Sequence, residues 1–197
     1  SFSVGAMVVF KNGKPSKNDY RKYKISVDKN DDYHMMKEVI YRRYFRCIVD
    51  KEEMPDLIIL DGGLNQINAC KEVLNTLNLN IKVVGLKKDN HHRTNALLDS
   101  DTLETYDLTG HDDVFNYLTR IQDEVHRFVI TYHKAIRSKG MLKSMLSNVE
   151  GLGTQRINNL LKKFGSIEKI KNADIKELKK VIPENIAIEL KKYLNEN

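Results

Sequence analysis

The stretch Leu57-Ile58-Ile59-Leu60-Asp61-Gly62-Gly63 decides the fold of this chain. Four consecutive large aliphatic residues predict a short buried strand, and the two glycines mark its end. Apolar residues at helical spacing follow at Ile67, Cys70 and Leu74, so an amphipathic helix is predicted next. Open α/β sheets bind their ligands just beyond the ends of their strands, and glycines let a backbone or a phosphate approach closely. Asp61 is therefore expected to face outward at a position suited to a ligand.

Two interpretations of Asp61 stay open on local sequence: it holds a ligand, or it caps the next helix and shapes the turn. A second buried strand is predicted over residues 81–86, and strands that alternate with helices favour parallel pairing. The polar, cationic loop expected at 87–94 would then lie at the same sheet edge as Asp61 and is suited to phosphate. Its two adjacent histidines have no partner at helical spacing, and we expect them to be solvent-exposed rather than metal ligands.

The first fifty residues predict an antiparallel hairpin and a helix. Residues 4–10 and 20–25 have strand patterns, and Asn12-Gly13 between them is a strong hairpin-turn signal. Asp32 stands at the start of a helix predicted to run to about residue 44, a place where aspartate is usually a cap.

A long helix is predicted over residues 114–132, after a small hairpin within residues 97–108. His126 lies at the border of its apolar stripe. A single helical histidine is usually a half-buried residue, but Asp123 precedes this one by three positions and is able to orient it. We expect a linker over residues 139–146.

The segment from residue 148 to residue 154 has the apolar-x-Gly-apolar-Gly turn of a helix-hairpin-helix motif. Its glycines expose backbone N–H groups at a helix N-terminus, which bind a DNA phosphate without base contacts. We expect Gly151, Gly153 and Thr154 to be DNA-binding residues. The second turn, residues 181–185, lacks paired glycines and carries an acid, so it is the weaker phosphate site or purely structural.

Composition supports a globular chain with a basic tail. The chain has 197 residues and a formal charge of +6, and residues 139–197 hold 12 Lys and Arg against 7 Asp and Glu. This excess either attracts phosphate backbones or is a solvated face. No apolar run approaches the roughly 20 residues of a membrane span, and no signal peptide is visible. Cys47 and Cys70 are expected to be packed thiols of a reducing cytoplasm.

The order of these motifs resembles the C-terminal half of the UvrC family, the nuclease subunits of the bacterial UvrABC nucleotide excision repair system. The matching stretches are residues 4–10, residues 20–25, Asp31-Asp32-Tyr33, Ile59-Leu60-Asp61-Gly62-Gly63 with Gln66, Gly85-Leu86 through His92-Arg93-Thr94, Asp123-Glu124-Val125-His126, and the tandem hairpin tail. The resemblance implies an α/β fold: an RNase H-like mixed sheet flanked by helices over residues 1–138, followed by a small all-α tandem helix-hairpin-helix domain over residues 147–197.

The resemblance also implies a function, a metal-dependent incision of DNA on the 5′ side of a lesion. It makes Asp61 a metal-binding carboxylate, Asp32 a further acidic residue needed for incision, and His126 the catalytic histidine. Mg²⁺ or Mn²⁺ suits oxygen ligands. We add Lys87 and Arg93 as candidate contacts to substrate phosphates. The expected partners are double-stranded DNA with a lesion or bubble and, through the parent protein, the UvrB–DNA complex.

The chain departs from the family pattern at its start. The family's first catalytic aspartate lies in an upstream Asp-x-Ser-His strand, whereas a strand pattern begins here within a few residues of Ser1. We therefore expect an excised, nuclease-deficient fragment with an unpaired sheet edge. The alternative is a non-enzymatic, structure-selective DNA-binding fragment that acts through the hairpins. A generic nucleotide-binding domain is disfavoured, because Asp61-Gly62-Gly63 makes neither a G-x-G-x-x-G nor a Walker loop.

Overall fold

The computed structural model describes residues 3–25, 31–88, 91 and 94–196, and the chain forms two compact units, 1–130 and 131–197. The boundary falls earlier than residue 138, where we expect the first domain to end. In chain order the first unit contains β1 (Ser3–Met7), β2 (Phe10–Lys11), β3 (Lys14–Pro15), β4 (Arg21–Ile25), α1 (Asp32–Asp50), β5 (Leu57–Leu60), α2 (Leu64–Thr76), β6 (Lys82–Lys88), β7 (Thr94–Asp99), β8 (Thr105–Asp107) and the first part of α3 (Asp112–Leu146).

The N-terminal strands form two small antiparallel pairs. β1 pairs with β4, and β2 pairs with β3 across the predicted Asn12-Gly13 turn, in which both residues have positive φ. The single strand predicted over residues 4–10 is wrong in one respect: it is divided, because Phe10 pairs with Pro15 across this turn rather than with β4.

Helix α1 begins as predicted and ends later. Asp31, rather than Asp32, is its N-cap, since the Asp31 side chain accepts a hydrogen bond from the backbone N–H of His34. The helix continues past residue 44 to Asp50 because Cys47 extends the buried stripe by another turn.

The main sheet has the order β5-β6-β7-β8. β5 and β6 are parallel, as predicted, and the other neighbours are antiparallel, with the expected hairpin at β7–β8. A Cβ atom at Gly85 in β6 would lie 2.5 Å from the carbonyl oxygen of Gly62, so a glycine there lets the turn after β5 pack directly on β6. A core cluster joins α1, α2, β5 and β6 and contains Cys47 and Cys70, both buried and free, as predicted.

Helix α3 is longer than the sequence suggests. Residues 139–146, predicted as a linker, are its last turns. A glycine inside a helix costs only about 1 kcal/mol relative to alanine, and Gly140 is surrounded by good helix formers. Leu146 is fully buried in the second unit, which anchors these turns.

The second unit is all-α, as predicted. Beyond α3 it contains α4 (Thr154–Phe164), α5 (Ile167–Asn172), α6 (Ile175–Leu178) and α7 (Glu184–Glu196), around a single apolar core. Within the described ranges, no helix has both the length and the apolar character to span a membrane.

Candidate active site

Asp61 follows β5 directly and its side chain is 28% exposed. The N-cap of α2 is Gly63, and this helix has no side-chain cap. The Asp61 carboxylate instead accepts hydrogen bonds from side chains of α3. The capping interpretation of Asp61 is therefore wrong, and its carboxylate faces the edge of the sheet.

His126 is the first partner of Asp61. Its Nε2 atom lies 2.8 Å from Oδ2 of Asp61, although the two residues are 65 positions apart in sequence. The His126 side chain is 50% exposed. The carboxylate that contacts His126 is thus Asp61, and not Asp123 as the local sequence suggests.

Gln122 is the second partner. Its side-chain Nε2 donates a 3.0 Å hydrogen bond to Oδ1 of Asp61. Its side-chain oxygen accepts a 3.0 Å hydrogen bond from the hydroxyl of Thr94, a buried residue at the start of β7. Both oxygens of Asp61 are therefore held, one by His126 and one by Gln122.

Lys88 is the cation beside this carboxylate. Its Nζ lies 3.6 Å from Oδ1 of Asp61. Lys87 and Lys88 end β6 rather than lying in a loop, and the register shifts between them. Lys88 thus lies beside Asp61, and the contact of Lys87 with a substrate phosphate stays a prediction. Arg93 lies outside the described residues.

The pKa of Asp61 reflects these neighbours. Burial acts to raise it, but the hydrogen bonds from His126 and Gln122 and the charge of Lys88 outweigh burial, so the pKa of Asp61 lies below its ordinary value. The carboxylate is ionised at neutral pH, which is the form that binds a cation.

The pair fits part of a divalent metal site. Mg²⁺ is commonly held by one or two carboxylates together with waters and substrate phosphates. Adjacent ligands about 2.1 Å from an octahedral ion lie about 3 Å apart, and Asp61 Oδ2 and His126 Nε2 are separated by 2.8 Å. Among the residues that the structure describes, no group of three His, Cys, Asp or Glu side chains is close enough to hold a metal ion. Asp32, an exposed residue in the first turn of α1, does not complete such a group.

Two contacts with Tyr20 connect α3 to the N-terminal part of the first unit. Glu124 accepts two hydrogen bonds from Arg127, at 2.8 and 2.7 Å, and one from the hydroxyl of Tyr20 at 2.9 Å. Tyr20 also packs edge-on against Phe128. These contacts fix the part of α3 that carries His126.

A family model described as the UvrC RNAse H endonuclease domain matches residues 1–130. The chain belongs to the UvrC family. A second model, described as a SAM-like helix-hairpin-helix tandem, matches residues 143–196. The resemblance and the RNase H-like and helix-hairpin-helix folds expected from the sequence are confirmed.

Streptococcal relatives agree with the UvrC assignment. The UvrABC system protein C of Streptococcus uberis is 50% identical over 196 residues, which cover 98% of this chain and 33% of that protein. The UvrABC system protein C of Streptococcus thermophilus (strain CNRZ 1066) is 52% identical over 187 residues, covering 93% of this chain and 31% of that protein. The chain thus spans about a third of the length of the curated relatives it matches.

Gln122, Thr94 and Lys88 belong to the site of this UvrC-family chain but were not predicted as site residues from the sequence. Gln122 had a usable signal, because it precedes His126 by four residues and so lies on the same helix face. Lys88 had none, since the irregularity between Lys87 and Lys88 breaks the alternation that assigns strand residues to a face.

The first hairpin of the UvrC-family tail has the predicted local structure. Gly151 has φ +83°, and a Cβ there would lie 2.8 Å from the Ile186 side chain. Gly153 is the N-cap of α4, without a side-chain cap, and a Cβ there would meet open space. Thr154 is the first residue of α4. The backbone N–H groups that begin α4 therefore lack a capping side chain, whereas Gly151 is required by the hairpin itself.

Proposed function

We propose that this chain belongs to the endonuclease module of a nucleotide excision repair protein, and that the whole protein makes a divalent-metal-dependent incision on the 5′ side of a DNA lesion. The observation that carries the proposal is the 2.8 Å contact between Asp61 and His126 in a domain of the UvrC family. A carboxylate at the end of a sheet strand and an imidazole on the adjacent helix are suited to hold a metal ion and to accept the proton of a water molecule.

Asp61 and His126 would hold the ion, Mg²⁺ or Mn²⁺. The ion would supply an activated water and neutralise charge on the phosphodiester. Asp61 contributes an ionised oxygen, and His126 either completes the metal site or holds the attacking water. Asp32 remains our candidate for a further acidic residue that incision needs.

Cationic residues between positions 87 and 93 would bind the substrate backbone. Lys88 is the described cation closest to the Asp61 carboxylate, and we add it to Lys87 and Arg93 as a phosphate contact. Lysine is a common phosphate ligand that acts as a point charge.

We further propose that this chain alone cuts DNA poorly and that a longer chain, which includes the family's Asp-x-Ser-His strand, cuts efficiently. The basis is the family resemblance, in which that strand carries the first catalytic aspartate. Within the full-length protein, the expected substrate is duplex DNA with a lesion or bubble, presented in a complex with UvrB. We place the protein in the cytoplasm, where its two buried thiols stay reduced.

A second candidate function is DNA binding without catalysis, through the hairpins of the second unit. The observation that favours it is the N-terminus of α4, where no side chain caps the backbone N–H groups. Gly153→Ala adds a Cβ in open space and therefore tests this surface without disturbing the fold, unlike Gly151→Ala.

The deciding experiment is incision of a 5′-labelled, bubble-containing duplex with Mg²⁺ or Mn²⁺, by this chain and by one extended upstream. We expect the extended chain to cut, and Asp61→Asn or His126→Ala to reduce its rate by about 10² to 10⁴ while leaving DNA affinity unchanged. Asp56→Asn, at the opposite end of β5, is the matched control and should cut normally. If Asp61→Asn cuts as well as the wild type, the nuclease proposal is wrong. If neither chain cuts and Gly153→Ala weakens DNA binding, the second function is the correct one.

A further inference from the structure

The second half of α3 is a long segment without acidic residues. From residue 125 to residue 149 the sequence contains no Asp or Glu. The part of this segment in the second unit, residues 131–149, carries four cations: Lys134, Arg137, Lys139 and Lys143. No acidic residue within this segment therefore balances its positive charge.

Most of this helix faces solvent. Between residues 131 and 141 only Tyr132 and Ile136 are even half-buried, and Lys134, Arg137 and Lys139 are exposed. A helix that is polar nearly all round has little apolar packing to hold it. This contrasts with the last turn, where Leu146 is fully buried in the core of the second unit.

The charges on this helix also repel one another. Lys134 and Arg137 are three residues apart, and Lys139 and Lys143 are four apart, so each pair places like charges on neighbouring positions of the helix surface. None of the four forms an ion pair with the described part of the chain, whereas Lys179 and Lys180 are paired with Glu184 and Glu177. An external anion would relieve this repulsion.

Lys134 and Arg137 are the neighbouring pair in which both cations are exposed, since Lys143 is half-buried. At 3.6 residues per turn, Lys134 and Arg137 are about 60° apart around the helix axis, and His133 lies about 40° beyond Arg137. Lys139 is about 140° or more from both. Lys134 and Arg137 are about 4.5 Å apart along the axis, so their long side chains can reach neighbouring charges of a nucleic acid backbone.

We propose that the Lys134–Arg137 face of α3 binds the phosphate backbone of DNA. The partner is chosen by charge complementarity, since residues 131–149 carry four cations and no acid and therefore match a polyanion. The inference rests on DNA being the ligand in the proposed function, but it concerns binding and not the incision chemistry. The contact reads no sequence, because it is made to phosphates alone. Phosphate contacts from this face also stabilise the exposed turns of the helix.

The test is DNA binding by the 197-residue chain in EDTA, measured by fluorescence anisotropy over a series of KCl concentrations. Each phosphate contact contributes about 0.9 to the slope of log affinity against log salt concentration. We expect Lys134→Gln and Arg137→Gln each to reduce the slope by about 0.9, and the double variant by about 1.8. Lys139→Gln removes the same charge from the opposite side of the same helix and should change the slope by less than half as much.

Amide hydrogen exchange supplies a second readout. Exchange of residues 131–141 should slow when DNA is added to the wild type and should not slow in the double variant. If the double variant retains the wild-type slope, or if Lys139→Gln lowers it equally, the inference is overturned. If the double variant keeps the wild-type slope, an acidic protein surface is the better candidate partner for this face. Because the binding assay contains no metal, its result does not depend on whether the proposed nuclease is active.

Discussion

Gln122 holds one oxygen of Asp61 while His126 holds the other. The amide of Gln122 has a donor end and an acceptor end, and the two ends exchange if the group turns over. Thr94 donates its hydroxyl proton to the acceptor end, which leaves the donor end directed at Asp61. The orientation of the Asp61 carboxylate is therefore set by a chain of two hydrogen bonds that begins in β7.

This arrangement makes Gln122 a positioning residue. Gln122→Leu keeps the approximate size of the side chain and removes its polar end. We expect the affinity for Mn²⁺ and the rate of incision each to fall by about 10- to 100-fold, the usual cost of losing a residue that orients a metal ligand. Isothermal titration with Mn²⁺ measures the first effect without requiring turnover. Thr94→Val, which frees the amide to turn over but leaves it present, should have a smaller effect. Unchanged Mn²⁺ affinity in Gln122→Leu would rule out this role.

Lys88 should affect metal binding and cleavage in opposite directions. Its charge lies 3.6 Å from Asp61 and competes with a metal ion for that carboxylate. Two unit charges about 4 Å apart in water interact by about 1 kcal/mol, so Lys88→Met should raise Mn²⁺ affinity about fivefold. If Lys88 contacts the substrate phosphate as proposed, the same change should slow incision by about tenfold or more. Lys87→Met is the control for general charge. A fall in Mn²⁺ affinity would contradict this account.

Gly85 is required for the turn that carries Asp61. A Cβ at this position would lie 2.5 Å from the carbonyl oxygen of Gly62 and 2.9 Å from a side-chain carbon of Ile67. Gly85→Ala should lower the free energy of unfolding by about 1–3 kcal/mol, as overpacking usually does, and should weaken Mn²⁺ binding by displacing Asp61. Gly63→Ala has nothing within 4 Å and should be much less destabilising. Urea unfolding of the two variants makes the comparison, and equal midpoints would show that the close approach is not needed.

Glu124 should make stability depend on acid pH. Its hydrogen bonds from Arg127, reinforced by the one from Tyr20 and opposed by burial, lower its pKa to about 2. Because the pKa is lower in the folded state, this stabilisation is complete above the ordinary glutamate value of about 4.5 and is lost as the pH falls toward 2. Glu124→Gln should therefore lower the free energy of unfolding by about 1–2 kcal/mol at pH 7.

Urea unfolding at pH 7, 5 and 3 checks the Glu124 prediction. The difference between Glu124→Gln and the wild type should persist at pH 5 and shrink at pH 3. Glu53→Gln, which changes a side chain that is 85% exposed, is the control and should be nearly neutral at each pH. A difference that grows as the pH falls would have the wrong sign for this network.

Sequence patterns predicted the elements that depend on local hydrophobicity. The run of aliphatic residues before Asp61 gave β5, and the helical spacing after it gave α2. The contact between Asp61 and His126 was not predictable from spacing, because it joins residues 65 positions apart; only the family resemblance grouped them. Gly140 suggested an end to α3 that the structure does not have, since one glycine costs less than Leu146 gains by burial.

The roles of Asp32, Asp61 and His126 in incision, and of Gly151, Gly153 and Thr154 in DNA binding, remain predictions. The structure brings Asp61 and His126 together, which the proposed role requires. Within the described residues, no cluster of three potential metal ligands contains Asp32 together with Asp61 and His126. Ligands that approach a site from distant parts of a chain leave no periodic signal in the sequence, so geometry is needed to choose among the carboxylates.

Because both cysteines are buried, the rate at which they react with a thiol reagent reports how often the first unit opens. Burial raises the pKa of Cys70 to about 12 and also raises the pKa of Cys47. Thiol reagents attack the thiolate at an accessible sulfur, so neither residue reacts while α1 and α2 stay packed together. The labelling rate of each thiol thus counts how often this layer separates. A labelling rate faster than the rate of global unfolding would show that α1 and α2 separate locally, whereas equal rates would show that labelling requires loss of the whole fold.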